Sequence, residues 1–479
     1  MFTLIKAMSK SEKRYFVLDA KKSGRTGSRY LTLFNALSKM EEYDDSKLKK
    51  KFPKNLSSDK AYLYEAILRS MRDYRSKSSK AAQVKERLMD ARFLYERGLY
   101  GQSTARIAEA KAMAKELEDH FTLLEINKEE QVSLFDRKAK VTLEHIEQLN
   151  EEREQTLVAI NEELKYLDLY YRLLLEILKE FNLKDEKSIS ELKNRLPLYL
   201  LEDGMKPNSP HARRRYYLCK AVYFNLIGDL HEIYKNYQMA VNWWDLYPVI
   251  KNENFHTYIN NVYNLVNTSH KIEGNSYISE KWINKLESDK PSLSYHNQKA
   301  IFRTLSISNL LHLLNKNDFE KAKNILPEII DGLNRFGLKK SIVLIGNIVI
   351  VYFLTRDYKN CLYWSEYIIK NLKKSGRDDI HRLVRLYKVI AHYELGDIDK
   401  AEGAIRAIDR YFIISKLPKT RFEYIVINDY LKNIFNAPIN CFKKEIEGFY
   451  SFLKEANKNP NKEIPLGIDE LMIWAKSKL

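Results

Sequence analysis

His381, Arg385, Lys388 and His392 recur at i, i+4, i+7 and i+11, which on an α-helix draws one narrow line along the cylinder. Ile380, Leu383, Val384, Tyr387, Ile390 and Ala391 fall on roughly the opposite side. Guanidinium and ammonium groups in such a row suit the carboxylates of an acidic segment, and the two imidazoles add charge as pH falls through about 6.5. A second row, Asn260, Asn264 and Asn267, lies opposite Phe255, Ile259, Val262 and Val266. Carboxamides can pair with both the amide and the carbonyl of an extended peptide. The two rows are read as a peptide-binding groove, with a solvated helix face as the alternative. Tyr234, Tyr237, Trp243 and Trp244 are candidates for aromatic contacts beside it, or else members of the core.

No spacing in the chain points to catalysis. It contains no G-x-x-x-x-G-K-[ST], H-E-x-x-H or G-x-S-x-G, and the Gly-rich run SGRTGS at 23–28 lacks the lysine of a phosphate cradle. The 10 histidines never fall three to five residues apart, the spacing that sets two ligands on one helical turn. Cys219, Cys361 and Cys441 are scattered, which suggests neither a disulfide framework nor a zinc cluster. The expectation is a chain that is not an enzyme and takes no cofactor or metal.

The formal net charge is +17, and residues 1–90 carry 22 basic against 11 acidic residues, whereas 91–180 carry 13 against 19. A basic block recruits nucleic acid, acidic protein or anionic lipid; an AT-rich genome yields a similar Lys-rich composition without selection for binding. Three helices are expected at about 8–22, 29–42 and 57–76, with a short one at 45–52. The short helix, the turn at Pro53 and Asn55 and the helix from Ser57 have the proportions of a helix-turn-helix. On that reading Lys47, Lys49, Lys50, Lys51, Lys60, Arg69 and Arg72 meet phosphates.

These side chains need elements to position them, and composition restricts the choice. With only 15 Gly and 11 Pro in 479 residues, turns are few and the chain is expected to be all-α. Five segments share a pattern: RGLYGQS at 97–103, IGDLHEI at 227–233, KNDFEKA at 316–322, TRDYKNC at 355–361 and LGDIDKA at 395–401. In four of them an Asp (229, 318, 357, 397) precedes an apolar residue, and Ile233, Ala322, Cys361 or Ala401 follows. The pattern reads as a helical hairpin: helix A ends, Asp caps helix B, and the small residue lets B approach A. The last three turns lie 39 and 40 residues apart, so the hairpins form an array.

The Tyr393, Leu395, Gly396, Asp397, Ala401 run, with Phe319 and Ala322 repeating it, resembles the tetratricopeptide repeat (TPR) superfamily over roughly 210–455, with a degenerate copy near 91–138. The period exceeds that family's usual length of about 34 residues. The resemblance implies an α-solenoid whose A helices line a concave face, and a partner's acidic tail held there by Asn, Lys and Arg side chains. It implies a non-catalytic protein-binding scaffold or adaptor; a nucleic-acid-associated regulator using the basic N-terminal block is the alternative.

Leu157, Ile160, Leu164, Leu167, Tyr171, Leu174, Leu178 and Phe181 form a heptad seam. It suits a long hairpin helix packed on 105–138, or a homodimer through 157–181. The expected organisation is a basic helical domain at 1–90, a degenerate repeat and long hairpin at 91–182, a connecting segment at 183–211 and a repeat array at 212–479. The most hydrophobic stretch, Ile342 to Leu354, is broken by Gly346 and Asn347 and is too short for a bilayer. No membrane contact and a cytoplasmic location are expected.

Overall fold

The computed structural model describes the chain except for residues 23–28, 78, 136–140, 180–185, 271, 273–275, 289–293, 373–376 and 459–465, so the SGRTGS run and Phe181 lie outside the described residues. Among the described residues every regular element is helical, and the chain is all-α. In order the helices are α1 (Phe2–Ala7), α2 (Lys10–Lys22), α3 (Arg29–Lys39), α4 (Asp45–Lys51), α5 (Leu56–Ser76), α6 (Lys80–Tyr95), α7 (Tyr100–Glu116), α8 (His120–Val132) and α9 (Leu143–Lys179). There follow α10 (Glu186–Arg195), α11 (Pro210–Ile227), α12 (Leu230–Leu246), α13 (Pro248–Glu253), α14 (Phe255–Ser269), α15 (Ser276–Ser288), α16 (Tyr295–Asn315), α17 (Phe319–Asn324) and α18 (Leu326–Arg335). The last are α19 (Ile342–Leu354), α20 (Tyr358–Asn371), α21 (Asp378–Glu394), α22 (Ile398–Ile414), α23 (Phe422–Ile425), a π-helical stretch Val426–Leu431, α24 (Lys432–Asn436), α25 (Ile439–Lys458) and α26 (Ile468–Lys476).

Two compact units emerge, with boundaries inside α9, α14 and α16: Met1–Leu174 with Asn182–Leu265 and Asp289–Ile301, and Leu175–Phe181 with Val266–Ser288 and Phe302–Leu479. In the first unit, α1 to α5 close around Ile5, Phe16, Leu33, Phe34, Leu37, Leu48, Leu63 and Ile67. A second core gathers Val84, Leu88 and Ala91 of α6, Ile107, Ala110 and Ala114 of α7 and Ile126 of α8. The alanines, lying on one face of α7, let it approach α6 closely. Residues 198–205 form two 3₁₀ turns fastened to α9, because the Tyr166 hydroxyl reaches the carbonyls of Leu200 at 3.0 Å and Met205 at 2.6 Å.

The second unit carries the hairpins α19/α20 and α21/α22, with α20 packed on α21 as well as on α19. All five recurrent turns, in both units, have one backbone solution. A left-handed residue (Gly98, Gly228, Asn317, Arg356 or Gly396) ends the first helix at φ between 56° and 83°. The next amide then donates to the carbonyl five residues back: Leu99 to Leu94, Asp229 to Phe224, Asp318 to Leu313, Asp357 to Tyr352 and Asp397 to His392, at 2.9–3.1 Å. Ser103, Ile233, Ala322, Cys361 and Ala401 are all buried, as the hairpin pattern requires. Asp229 and Asp357 cap their helices through the amides of Glu232 and Asn360. Asp318 and Asp397 do not, and pair with Lys321 and Lys400 instead. Three further turns of this type, at Glu118, Gly337 and Lys416, lack the sequence pattern.

Candidate functional site

The cationic row lies on α21 but is not an open line. His381 is 1% exposed and His392 7% exposed. Arg385 lies over the Tyr411 ring of α22, 4.1 Å from its centroid, and its Nη1 donates to the His381 carbonyl at 2.8 Å. Lys388 pairs with Glu366 of α20 at 3.1 Å. Lys388 and Arg385 thus turn to Glu366 of α20 and Tyr411 of α22, with the His381 carbonyl of α21 itself taking an Arg385 N–H, so the row is paired within the chain. Arg382, one step around the helix, is nearly buried between Asp378 at 2.8 Å and Glu423 at 2.6 Å, and the Tyr411 hydroxyl donates to Asp378 as well. Desolvation holds the His392 imidazole below its ordinary range, with the Lys388 charge adding to the effect, so His392 gives little cationic character at neutral pH.

The opposite side of α21 is apolar, and another helix covers it. α26 packs on α19 and α25, and it meets α21 through Leu383, Tyr387 and Glu394. Its Ile468, Leu471, Trp474 and Ala475 are buried. Gly467 opens α26 at φ +92°, and a Cβ there would stand 2.2 Å from Leu383 Cδ1 and 3.1 Å from the Tyr387 hydroxyl. At the other end Glu394 accepts from Trp474 Nε1 at 2.7 Å and from Lys478 Nζ at 2.7 Å. Tyr387 is fully buried and stacks on Phe353 of α19, centroids 4.1 Å apart. α25 supplies a third wall through Phe449, 6.2 Å from the Trp474 ring. The Glu470 carboxyl, beside Tyr387 and Asp469, is pushed up to about 7, chiefly by desolvation. Sequence reasoning missed this arrangement because α26 is distant in sequence and matches no repeat; the one visible signal was the apolarity of Leu383 and Tyr387.

The asparagine row does not assemble within one unit: Asn260 and Asn264 belong to the first and Asn267 to the second, and all three are half-buried. The buried neighbour Asn261 is better engaged, its Oδ1 accepting from Trp244 Nε1 at 2.9 Å and Arg214 Nη1 at 3.3 Å. Trp243 and Trp244 are core residues holding the Arg214 guanidinium, which lies 5.4 and 4.8 Å from their rings, and burial pushes that guanidinium down to about 10. Neither indole is presented to a ligand. Tyr234 and Tyr237 are half-buried.

In the N-terminal block, α4 and α5 stand where the short and long helices were expected, with Asp44 capping α4 through the Lys47 amide. Lys47 pairs with Asp44 at 3.6 Å, Lys49 with Asp45 at 2.8 Å, and Lys60 with Asp45 at 3.0 Å. Lys50, Lys51, Arg69 and Arg72 are exposed. On α5, Arg69 lies half a turn from Lys60, so the seven cations encircle the two helices and form no stripe.

On α9 the buried positions are Ile160, Glu163, Tyr166, Leu169 and Leu173. Of the heptad seam, Ile160 is buried and Leu167 and Leu174 are half-buried, while Leu157, Leu164 and Tyr171 are 39%, 47% and 58% exposed. The helix meets α7 and α8: Lys111 bridges Glu130 at 2.8 Å and Glu152 at 2.6 Å, and Asn127 donates to the Leu149 carbonyl at 2.8 Å. Glu163 centres a buried titratable cluster, accepting from Ser209 Oγ at 2.8 Å and facing His120 Nδ1 at 2.8 Å. Here the carboxylate stands between hydroxyl and imidazole, so His120 has no contact through which to activate Ser209, and the order is not that of a nucleophile relay. Ser209 meanwhile caps α11. Among the described residues no group of three or more His, Cys, Asp or Glu could hold a metal ion, and no helix is long and apolar enough to cross a membrane. No family model matches the chain, and neither a curated protein nor a solved structure matches it.

Proposed function

We propose that this chain is a non-catalytic protein-binding scaffold or adaptor, a TPR-like array of helical hairpins that holds a protein segment against its A helices. The observation that carries the reading is the seating of α26 on α19 and α21: the A-helix face accepts an amphipathic helix through apolar contacts, with one carboxylate reading its polar end. The shared turn geometry supports the array, because eight helix ends among the described residues close through a left-handed residue and the turns at Asn317, Arg356 and Gly396 lie 39 and 40 residues apart. The reading places the chain in the cytoplasm, with a protein as partner and without cofactor.

Full-length chain immobilised in native lysate, with and without nuclease, tests this. Protein partners retained in both arms at stoichiometric levels are the expected result. Retention only where nucleic acid survives would replace the reading with a nucleic-acid-associated regulator. In that case reversal of Lys50, Lys51, Arg69 and Arg72 to Glu should abolish duplex binding, whose affinity falls steeply with salt.

A further inference from the structure

We infer that the face formed by α19 and α21, walled on a third side by α25, is a binding groove for an exchangeable amphipathic helix, and that α26 is its resident occupant. The partner has the chemistry α26 displays: apolar residues at i, i+3 and i+7, and an indole followed four residues later by a lysine. This deepens the protein-binding reading and rests on it.

The groove recognises such a helix at three points. Ile468, Leu471 and Ala475 are buried, and a Cβ at position 467 would stand 2.2 Å from Leu383 Cδ1. Glu394 reads the far end by taking both the indole N–H of Trp474 and the ammonium of Lys478. One acceptor gripping two donors a turn apart fixes register and direction, because a helix run the other way would bring neither donor to Glu394.

Three observations make α26 an occupant that can leave. It is 9 residues long, shorter than the roughly 12–15 at which isolated helices become even marginal in water, so its helicity depends on the groove. It carries a carboxylate, Glu470, on the side turned towards buried Tyr387, a placement a permanent core helix has little reason to keep. Finally, α19 and α21 are joined to each other by α20 and by direct packing, contacts that do not run through α26. While attached, α26 has the advantage of high effective concentration, and a partner must outcompete it.

The test uses full-length chain and a fluorescent peptide with the sequence of residues 466–479. In the wild type, α26 competes and the peptide should bind weakly. Gly467→Ala strains the entry to α26, where φ is +92° and the added Cβ meets Leu383 Cδ1, without altering α19, α21 or α25, and should bind the peptide at least tenfold more tightly; adding Glu394→Ala should remove that gain. Equal affinity in wild type and Gly467→Ala overturns the proposal, as does loss of folding in Gly467→Ala, which would make α26 part of the core. A dimer of Gly467→Ala that exchanges α26 between copies would give the groove to a second copy and overturn the partner assignment. Hydrogen exchange on the wild type needs no substitution: α26 amides should exchange through local opening well before those of α19 and α21, and equal protection refutes exchangeability. Failure of peptide binding with nuclease-resistant partners still retained would remove the groove and leave the scaffold reading standing.

Discussion

Glu470→Gln separates the carboxylate's charge from its shape. In the docked state the Glu470 carboxyl ionises at about 7 rather than near 4.5, because desolvation and the neighbouring Asp469 oppose its charge more than the helix amide and Tyr387 favour it. With α26 released, it returns to its ordinary value. The docked state thus binds a proton more tightly than the released one. Docking is strongest below about pH 4.5, weakens as pH rises from there through about 7, and levels off above, where the accumulated cost is about 3 kcal/mol. Gln keeps the side chain's size and removes that cost. Hydrogen exchange of α26 amides, corrected for intrinsic rates, should show wild-type protection falling more than tenfold between pH 5 and 8, whereas the variant's stays level. At pH 8 the variant should be the better protected of the two, and at pH 5 they should converge. Parallel profiles, or a variant less protected at pH 8, would refute the placement of this carboxylate under the helix.

Ala322→Leu and Ala401→Leu each force a larger side chain between the helices of a hairpin where the alanine is fully buried, and should cost about 1–3 kcal/mol, read as a drop of several degrees in melting temperature. Arg385→Ala loses the Tyr411 ring and the His381 carbonyl and should cost about 1 kcal/mol, whereas Lys388→Ala, which loses one partly exposed ion pair, should cost less; no loss in either would return the row to a free surface. Leu157→Glu with Leu164→Glu should leave melting unchanged, since both side chains are exposed. If the chain dimerises through 157–181, light scattering should show the double variant as a monomer and the wild type as a dimer; a monomeric wild type disposes of that dimer.

Local structure was legible where chemistry is local. The five turns could be read because an Asp, in four of them, and a small or aliphatic residue recur around them; that residue is buried in all five, whereas only Asp229 and Asp357 cap as the pattern requires. The turns at Glu118, Gly337 and Lys416 escaped because the pattern of Asp, apolar and small or aliphatic residue does not follow them; at Glu118 and Lys416 a non-glycine residue holds the left-handed conformation at a cost of about 1–2 kcal/mol each. The N-terminal helices were placed correctly except for α1, too short to show a period. The cationic row illustrates a limit of another kind. Its spacing on α21 is as expected, but a helix wheel shows only which residues share a side. It does not show which neighbour lies there, and Glu366 and Tyr411, the residues that receive the row, are 22 and 26 positions away from Lys388 and Arg385.

The nature of the groove follows from α19. Residues 344–353 are buried without a break, although an amphipathic surface helix would leave one side polar. A helix that is apolar all round needs a neighbour on every side. α17, α20 and α21 pack on it, and α26 packs on it as well. An open groove lined by donors for an extended acidic peptide would have needed Asn, Lys or Arg there; instead Leu383 and Tyr387 meet α26, with Phe353 stacked on Tyr387. Such a surface is strongly unfavourable in water, so it must be covered at nearly all times, and only something apolar and narrow enough to lie between three helices can cover it. A helix meets that requirement because its backbone polar groups are already paired along its own axis, whereas an extended peptide would bury its amides without partners there. The composition of the groove therefore selects the secondary structure of whatever occupies it.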